Sequence, residues 1–325
     1  MSYLSTLITG AWAIREEWLP LLANTLARIA TGAQISAADR TRIDTRRDEF
    51  RAAHPQAARG SDDPFVRIPT ADAGGRGVAL IGVYGVLCQR GGIDADTSEP
   101  LTSTARLARA IQAAAADPTI GAIVLDVDSP GGSVYGLSEL ADAIYAARSA
   151  KPTVAIANSC AASAAYWAAS QAGELYCAPG GEVGSIGVKA LHTDVSAALQ
   201  KSGVAVTELA AGRFKLELSS FAPLSAEARA HAQATIDQYY NDFVKAVARG
   251  RSTTPKAVLA GMGQGRMLTT SAAQAENMID GVATLDAVIA RMAARIQRRA
   301  SSSASSPAGS VRARMQRETD LLEHS

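Results

Sequence analysis

Ala122-Ile123-Val124-Leu125-Asp126-Val127 runs directly into Asp128-Ser129-Pro130-Gly131-Gly132-Ser133. The first six residues are apolar save one, and read as a buried strand. Proline and two glycines then end it, because proline lacks a backbone donor and glycine admits conformations closed to other residues. A helical pattern follows over about 136–149. Strand, tight turn and helix in this order are the unit of a sheet whose strands run side by side in one direction.

The same order recurs on both sides. Further strands are predicted at Gly77–Cys88, Thr153–Ala157, Glu174–Cys177 and Val204–Leu209. Helices are predicted over about 102–116, 163–172, 191–202, 225–249, 271–278 and 284–299. The expected fold class is α/β, a mainly parallel sheet with crossover helices outside it. No internal repeat is apparent.

Residues 1–66 stand apart as an N-terminal helical arm and linker. Trp18, Leu22, Leu26 and Ile29 fall near helical spacing, and His54–Pro64 is rich in turn formers. Residues 67–293 form the expected main domain, and residues 294–325 a basic Ser/Ala-rich tail, expected to be disordered from Ala300 to Ser310.

Composition narrows the classes. The 325 residues carry a net charge of +1, with 47 % hydrophobic and 19 % charged residues, which reads as soluble and globular. That balance offers no global attraction to nucleic acid or acidic lipid. No apolar run reaches the roughly 20 residues a spanning helix needs, so no membrane anchor is expected. The N-terminus lacks the basic start of a cleaved leader, and cytoplasm is the expected location. Cys88, Cys160 and Cys177 are widely spaced, and the four histidines are dispersed. Neither a metal site nor a cofactor is expected.

The chemistry converges on Ser163, in Ser159-Cys160-Ala161-Ala162-Ser163-Ala164-Ala165-Tyr166-Trp167. A hydroxyl at a helix start lies beside unpaired N–H groups and the positive end of the helix dipole, which favour an oxyanion. Taken alone, a serine among alanines is better explained by close packing in a small-residue helix. Lysine occurs only at 151, 189, 201, 215, 245 and 256, so candidate bases are few. Lys215 follows Gly212-Arg213-Phe214, where Phe214, Leu216 and Leu218 could shield it and Arg213 could repel its charge, both of which favour a neutral amine. Lys189, directly after Gly184-Ser185-Ile186-Gly187-Val188, is the strongest rival. A Ser-His-Asp triad through His192 or His231 stays formally open, without a Gly-x-Ser-x-Gly elbow to support it.

Taken together, four ordered motifs over about residues 76–290 resemble the signal peptide peptidase A family of Ser-Lys peptidases. They are Ile123–Gly132, Ala161–Trp167, Val183–Val188 and Gly212–Lys215. The resemblance implies a crotonase/Clp-protease-like fold. It implies Ser163 as nucleophile, Lys215 rather than Lys189 as general base, and Ser185 as the residue holding the lysine. It also implies an oxyanion hole from the Gly132 and Ala164 backbone N–H groups. Such proteins form rings in which neighbouring subunits help complete each site. Family members often carry glycines where this chain has Ala164 and Ala165, which would narrow the groove.

The extra N-terminal segment and basic tail resemble the phage head-maturation branch. Expected substrates are then scaffold, capsid or portal proteins and the chain itself, inside the host cytoplasm or the prohead, with no nucleic acid required. The alternatives are a soluble host peptidase, a non-catalytic assembly protein, or an acyl-CoA enzyme of the crotonase type.

Overall fold

The computed structural model describes residues 12–14, 66–69, 76–93 and 100–304. Its strands are β1 (Trp12–Ile14), β2 (Val66–Pro69), β3 (Gly77–Tyr84), β4 (Leu87–Cys88), β5 (Gly92–Ile93), β6 (Pro100–Ser103), β7 (Ile120–Ser129), β8 (Gly131–Ser133), β9 (Thr153–Ala162), β10 (Glu174–Cys177), β11 (Glu182–Gly184), β12 (Met267–Thr269) and β13 (Gly281–Val282). Its α-helices are α1 (Thr104–Ala116), α2 (Leu137–Ala150), α3 (Ala164–Ala169), α4 (Ser196–Lys201), α5 (Ala226–Gly250), α6 (Pro255–Ala260), α7 (Thr270–Ala275) and α8 (Leu285–Ala304).

The main sheet runs β12-β11-β9-β7-β3-β2, with β10 and β13 branching from β9. β3, β7, β9, β10 and β11 are parallel, as the strand–helix alternation predicts. The antiparallel strands β2 and β12 close its edges. A second, smaller sheet runs β1-β8-β4-β6-β5.

The two faces of the main sheet read off alternate residues. Ala79 and Ile81, Ile123 and Leu125, and Ala155 and Ala157 belong to the larger core, with Leu107 and Ile111 of α1, Leu140 and Ile144 of α2, and Val244 and Val247 of α5. Val78 and Leu80, Val124, and Val154 and Ile156 belong to the other, beneath Val288, Met292 and Ile296 of α8. A parallel strand covered on both sides must be apolar at consecutive positions, which is why these runs do not alternate with polar residues. α8 lies so close to β7 that a Cβ at Gly121 would meet Ile296 at 2.8 Å.

Three expectations need correction. Val204–Leu209 is not a strand: it is irregular, pairs with none of the described strands, and leaves Leu209 91 % exposed. The helix expected over 191–202 is reduced to Ser196–Lys201, without a buried residue. The tail is helical where disorder was expected, since α8 passes through Ala300 to Ala304. Anchored by Val288, Met292 and Ile296, the helix continues because each added turn costs little once nucleated. Elsewhere the boundaries shift slightly. The 77–88 run is broken at Gly85 (φ 63°) into β3 and β4, and the 163–172 helix shortens to α3. The helical pattern at 18–29, the linker at 54–64 and the tail beyond 304 lie outside the described residues.

Candidate active site

β9 ends at the position that matters most. Its first half pairs with β10, and its second half, Cys160–Ala162, pairs with β11. Ser129, at the end of β7, stands opposite Ala161. This register brings the Pro130-Gly131-Gly132 turn and Ser163 to one end of the sheet. β8 then packs directly on α3, the helix that Ser163 caps.

Ser163 has φ 53° and ψ −116°, a conformation rare for a residue with a side chain. Such a position costs about 1–3 kcal/mol and persists only where its surroundings enforce it. Those surroundings are on both sides. The Ser163 N–H donates to the Gly184 carbonyl at 2.8 Å, and its hydroxyl faces the Gly187 carbonyl at 3.4 Å. Behind it, the Trp167 ring stacks on Phe243 at 4.8 Å, and the Tyr166 hydroxyl donates to the Met278 carbonyl at 3.0 Å. Burial keeps that Tyr166 hydroxyl protonated far above the ordinary range. Gln171 donates to the Ala246 carbonyl and accepts from the Arg249 guanidinium, fixing the far end of α3 to α5. The whole Ser163 residue is only 1 % exposed.

The glycine turn is equally constrained. Gly131 has φ 101°, and its N–H donates to Ser129 Oγ at 3.1 Å. That hydroxyl donates in turn to the Gly85 carbonyl at 2.6 Å. A Cβ at Gly132 would lie 2.0 Å from the Leu87 carbonyl oxygen, so only glycine fits beside β4. Ser129 was legible as part of the turn motif, but its role as the clasp between β7, Gly85 and Gly131 was not. Ala164 is the first residue of α3, where the backbone N–H has no acceptor within the helix.

Ser185 sits in the same neighbourhood, one residue after Gly184. It adopts φ 55°, and its N–H donates to the Arg266 carbonyl at 2.8 Å. The structure therefore brings Ser163 and the Gly184–Gly187 turn together, with β8 alongside through α3.

Lys215 is placed differently. It lies in an exposed run of turns after Gly212, and its N–H donates to the Gly212 carbonyl at 3.2 Å. Phe214, Leu216 and Leu218 do not enclose it; each is itself exposed. Arg213 turns towards Glu227, with which it pairs at 3.0 Å. The described residues of the single chain thus form no pocket around this lysine. The excursion that carries it closes on itself. Val195 N–H donates to the Ser220 carbonyl at 2.8 Å, His192 Nε2 lies 3.0 Å from the Ser219 carbonyl, and Ser219 Oγ donates to Glu208 at 2.6 Å. His192 is committed there, and His231 is exposed on α5.

Among the described residues, no group of three or more His, Cys, Asp or Glu side chains could hold a metal ion. None of the described helices is long and apolar enough to cross a membrane. A separate cavity of about 560 Å³ lies beside α8, lined by Glu174, Arg291, Arg295, Arg298 and Arg299, where Glu174 pairs with Arg295 at 2.7 Å.

Residues 145–298, the span that contains Ser163, Ser185 and Lys215, match the model of peptidase family S49. The match covers just under half of the chain. The chain is also similar to curated proteins. The head-tail preconnector protein GP5 of Enterobacteria phage P21 is 34 % identical over 173 residues, covering 53 % of this chain and 34 % of that protein. Capsid assembly protease C of Escherichia phage lambda is 33 % identical, over 56 % of this chain and 42 % of its own length. Protease 4 of Salmonella typhi is 31 % identical, over 69 % and 35 %. The chain thus spans well under half the length of these relatives. Among solved structures, a membrane-bound stomatin-specific protease, 1510-N, overlaps 66 % of this chain and 83 % of its own at a TM-score of 0.39 and 16 % identity. ClpP1 of Listeria monocytogenes overlaps 64 % and 94 % at 0.39 and 10 %.

Proposed function

We propose that the chain is a serine endopeptidase in which Ser163 is the nucleophile and Lys215 the general base. The observation that carries this reading is the Ser163 turn: a serine in a strained conformation, anchored through its N–H to Gly184, at a helix start within the span matched by family S49. Strain of this kind gathers at reacting groups, where it aims a side chain that relaxed backbone would turn away.

The mechanism follows from the parts. Ser163 Oγ attacks a peptide carbonyl, and neutral Lys215 takes its proton and later delivers it to the leaving amine. The carbonyl oxygen, now an oxyanion, accepts from the Gly132 and Ala164 N–H groups, each contributing about 3 kcal/mol to barrier lowering. Water then releases the acyl-enzyme. Ser185 holds the lysine amine.

A lysine amine serves as a general base only in a covered, apolar setting or beside another positive charge. The exposed Leu209, Phe214, Leu216, Leu218 and Phe221 of the Lys215 excursion would supply such a setting once packed against another copy. This supports a homo-oligomeric ring in which the site is completed between subunits.

The two phage relatives favour a role in head maturation, with capsid, scaffold or portal proteins as substrates, in the host cytoplasm or the prohead. A second reading, a cellular peptidase that degrades peptides, is favoured by the Protease 4 match, which covers more of this chain than either phage match.

The test is intact mass of wild type, Ser163→Ala and Lys215→Ala, with and without a fluorophosphonate probe. One adduct in wild type, lost in both variants, is the expected result. An adduct that persists in Lys215→Ala at the wild-type rate would remove Lys215 from the role of base. Co-expression with capsid proteins then separates the two readings by which of them are cut.

A further inference from the structure

The smaller sheet contains a contact that the peptidase reading leaves unexplained. β1, residues 12–14, joins β8 as an antiparallel strand, with Trp12 opposite Ser133, Ala13 opposite Gly132 and Ile14 opposite Gly131. β8 is the strand beside the candidate nucleophile, and it packs on the helix that Ser163 caps. An extended peptide is most simply held at such a site by adding a strand to the available edge.

A strand has two hydrogen-bonding edges. On β8 one is taken by β4, through Leu87 opposite Gly132, and β1 takes the other. The residue opposite Gly132, a proposed oxyanion donor, is Ala13. Ser163 itself is 1 % exposed, so a peptide carbonyl reaches its hydroxyl only after something moves.

Resting on the reading of Ser163 as nucleophile, we infer that residues 12–14 are a tethered competitor that occupies the substrate strand position on β8. The chain carries its own occupant for the groove, more than a hundred positions away in sequence, and substrate enters by displacing it. The contact suits displacement. It is a three-residue ladder, too short to hold alone, and is maintained by the high local concentration that a tether provides. Pairing through the backbone makes occupancy depend on N–H and C=O groups rather than on particular side chains.

The test uses the full chain with Trp12→Pro and Ala13→Pro together. Successive N–H groups in a strand point to opposite sides, so one of two adjacent prolines removes a donor facing β8, whichever the ladder uses. Hydrolysis of a short unstructured fluorogenic peptide is compared with wild type, and Ser163 is followed by fluorophosphonate labelling. A competitor raises KM and leaves kcat alone, so the double-proline protein is expected to show a KM lower by about tenfold at unchanged kcat. The Trp12→Ala/Ile14→Ala protein keeps its N–H groups and is expected to stay at the wild-type KM.

Unchanged KM with normal labelling of Ser163 would overturn the inference and leave the peptidase reading standing. Lower kcat at constant KM would also overturn it, by showing that β1 merely supports β8. Failure of both proteins to label at Ser163 would sink the peptidase reading and this inference with it. If the proline protein does not fold, a peptide of residues 9–17 added to wild type should inhibit competitively, while the same peptide with prolines at positions 12 and 13 should not. Equal action of the two peptides would overturn the inference.

Discussion

Ser163 and Lys215 each have apolar neighbours in sequence, small ones around the serine and large ones around the lysine, yet the fold treats them differently. The turn at Ser163 is enclosed by two parallel strands, by the Gly184–Gly187 carbonyls and by the stacking of Trp167 on Phe243. The excursion at Lys215 is held mainly by bonds within itself and by the Arg213–Glu227 pair, and Leu209, Phe214 and Phe221 remain in solvent. One half of the proposed dyad is built by the core of a single chain. The other half is carried on a surface whose apolar side chains have no place in that core. In the proposed dyad, pre-organisation is thus concentrated on Ser163, and Lys215 would need packing that the described residues of one chain do not provide.

The sharpest way to break the comparison is at Ser163. Ser163→Ala is expected to lower peptide hydrolysis by at least about 10⁴-fold without lowering the melting temperature. Ser163→Gly should lose activity equally while gaining about 1 kcal/mol in chemical denaturation, because glycine accepts the φ of 53° without strain. No gain would mean that the turn is unstrained.

Next in size is Gly132→Ala, whose Cβ would overlap the Leu87 carbonyl at 2.0 Å, and a loss of about 3 kcal/mol is expected in urea unfolding. Gly187→Ala has nothing within 4 Å of the added Cβ and should stay within about 0.5 kcal/mol of wild type.

The Arg251–Asp280 pair tests how firmly the enclosed half is pinned. Asp280 accepts from Arg251 at 2.9 Å and from the Leu175 N–H at 2.7 Å. Burial pushes its carboxyl up, but the Arg251 bond and the Leu175 N–H outweigh that and hold it below the usual range. A depressed folded-state pKa gives stability that is present above the unfolded value and lost as pH falls through the folded one. Arg251→Met is expected to cost about 2 kcal/mol at neutral pH, and to flatten the loss of stability on acidification below about pH 4. An unaltered acid profile would show that Arg251 does not set the Asp280 titration.

In the excursion, Leu209→Asp with Phe214→Asp should leave unfolding free energy within about 0.5 kcal/mol, since both side chains already face water. Sedimentation should instead reveal a smaller assembly. A large loss of stability with unchanged size would mean that these side chains are packed within the chain after all. The smallest effect concerns thiols. Burial pushes Cys177 up to about 11, so iodoacetamide at neutral pH should spare it and modify the part-exposed Cys160 first.

Much of the enclosed half was legible in the sequence because buried parallel strands leave consecutive apolar residues. Ala122–Val127 and Thr153–Ala157 could hardly be anything else, and the Pro130-Gly131-Gly132 turn marked where β7 must end. Val204–Leu209 misled for the same reason. Its composition is that of a strand, but sheet membership needs a partner edge, and composition carries no information about edges. The Lys215 surroundings misled similarly, since Phe214, Leu216 and Leu218 are apolar whether they enclose an amine or face solvent. The strain at Ser163 and the Ser129 clasp were invisible because both depend on contacts between distant segments. β1 gave no pattern at all, being three residues long.

The last helix has a consequence for the life of the chain after synthesis. Ile296 fills the space left by Gly121, and with Val288 and Met292 it roofs one face of the sheet. A cut beyond Ala304 leaves Val288, Met292 and Ile296 in place. A cut before Ile296 strips away one of the three side chains and uncovers Val124 and Ile156. The spacing between these two points is about two turns of helix. Within that short distance, a cut passes from sparing this cover of the sheet to breaking it.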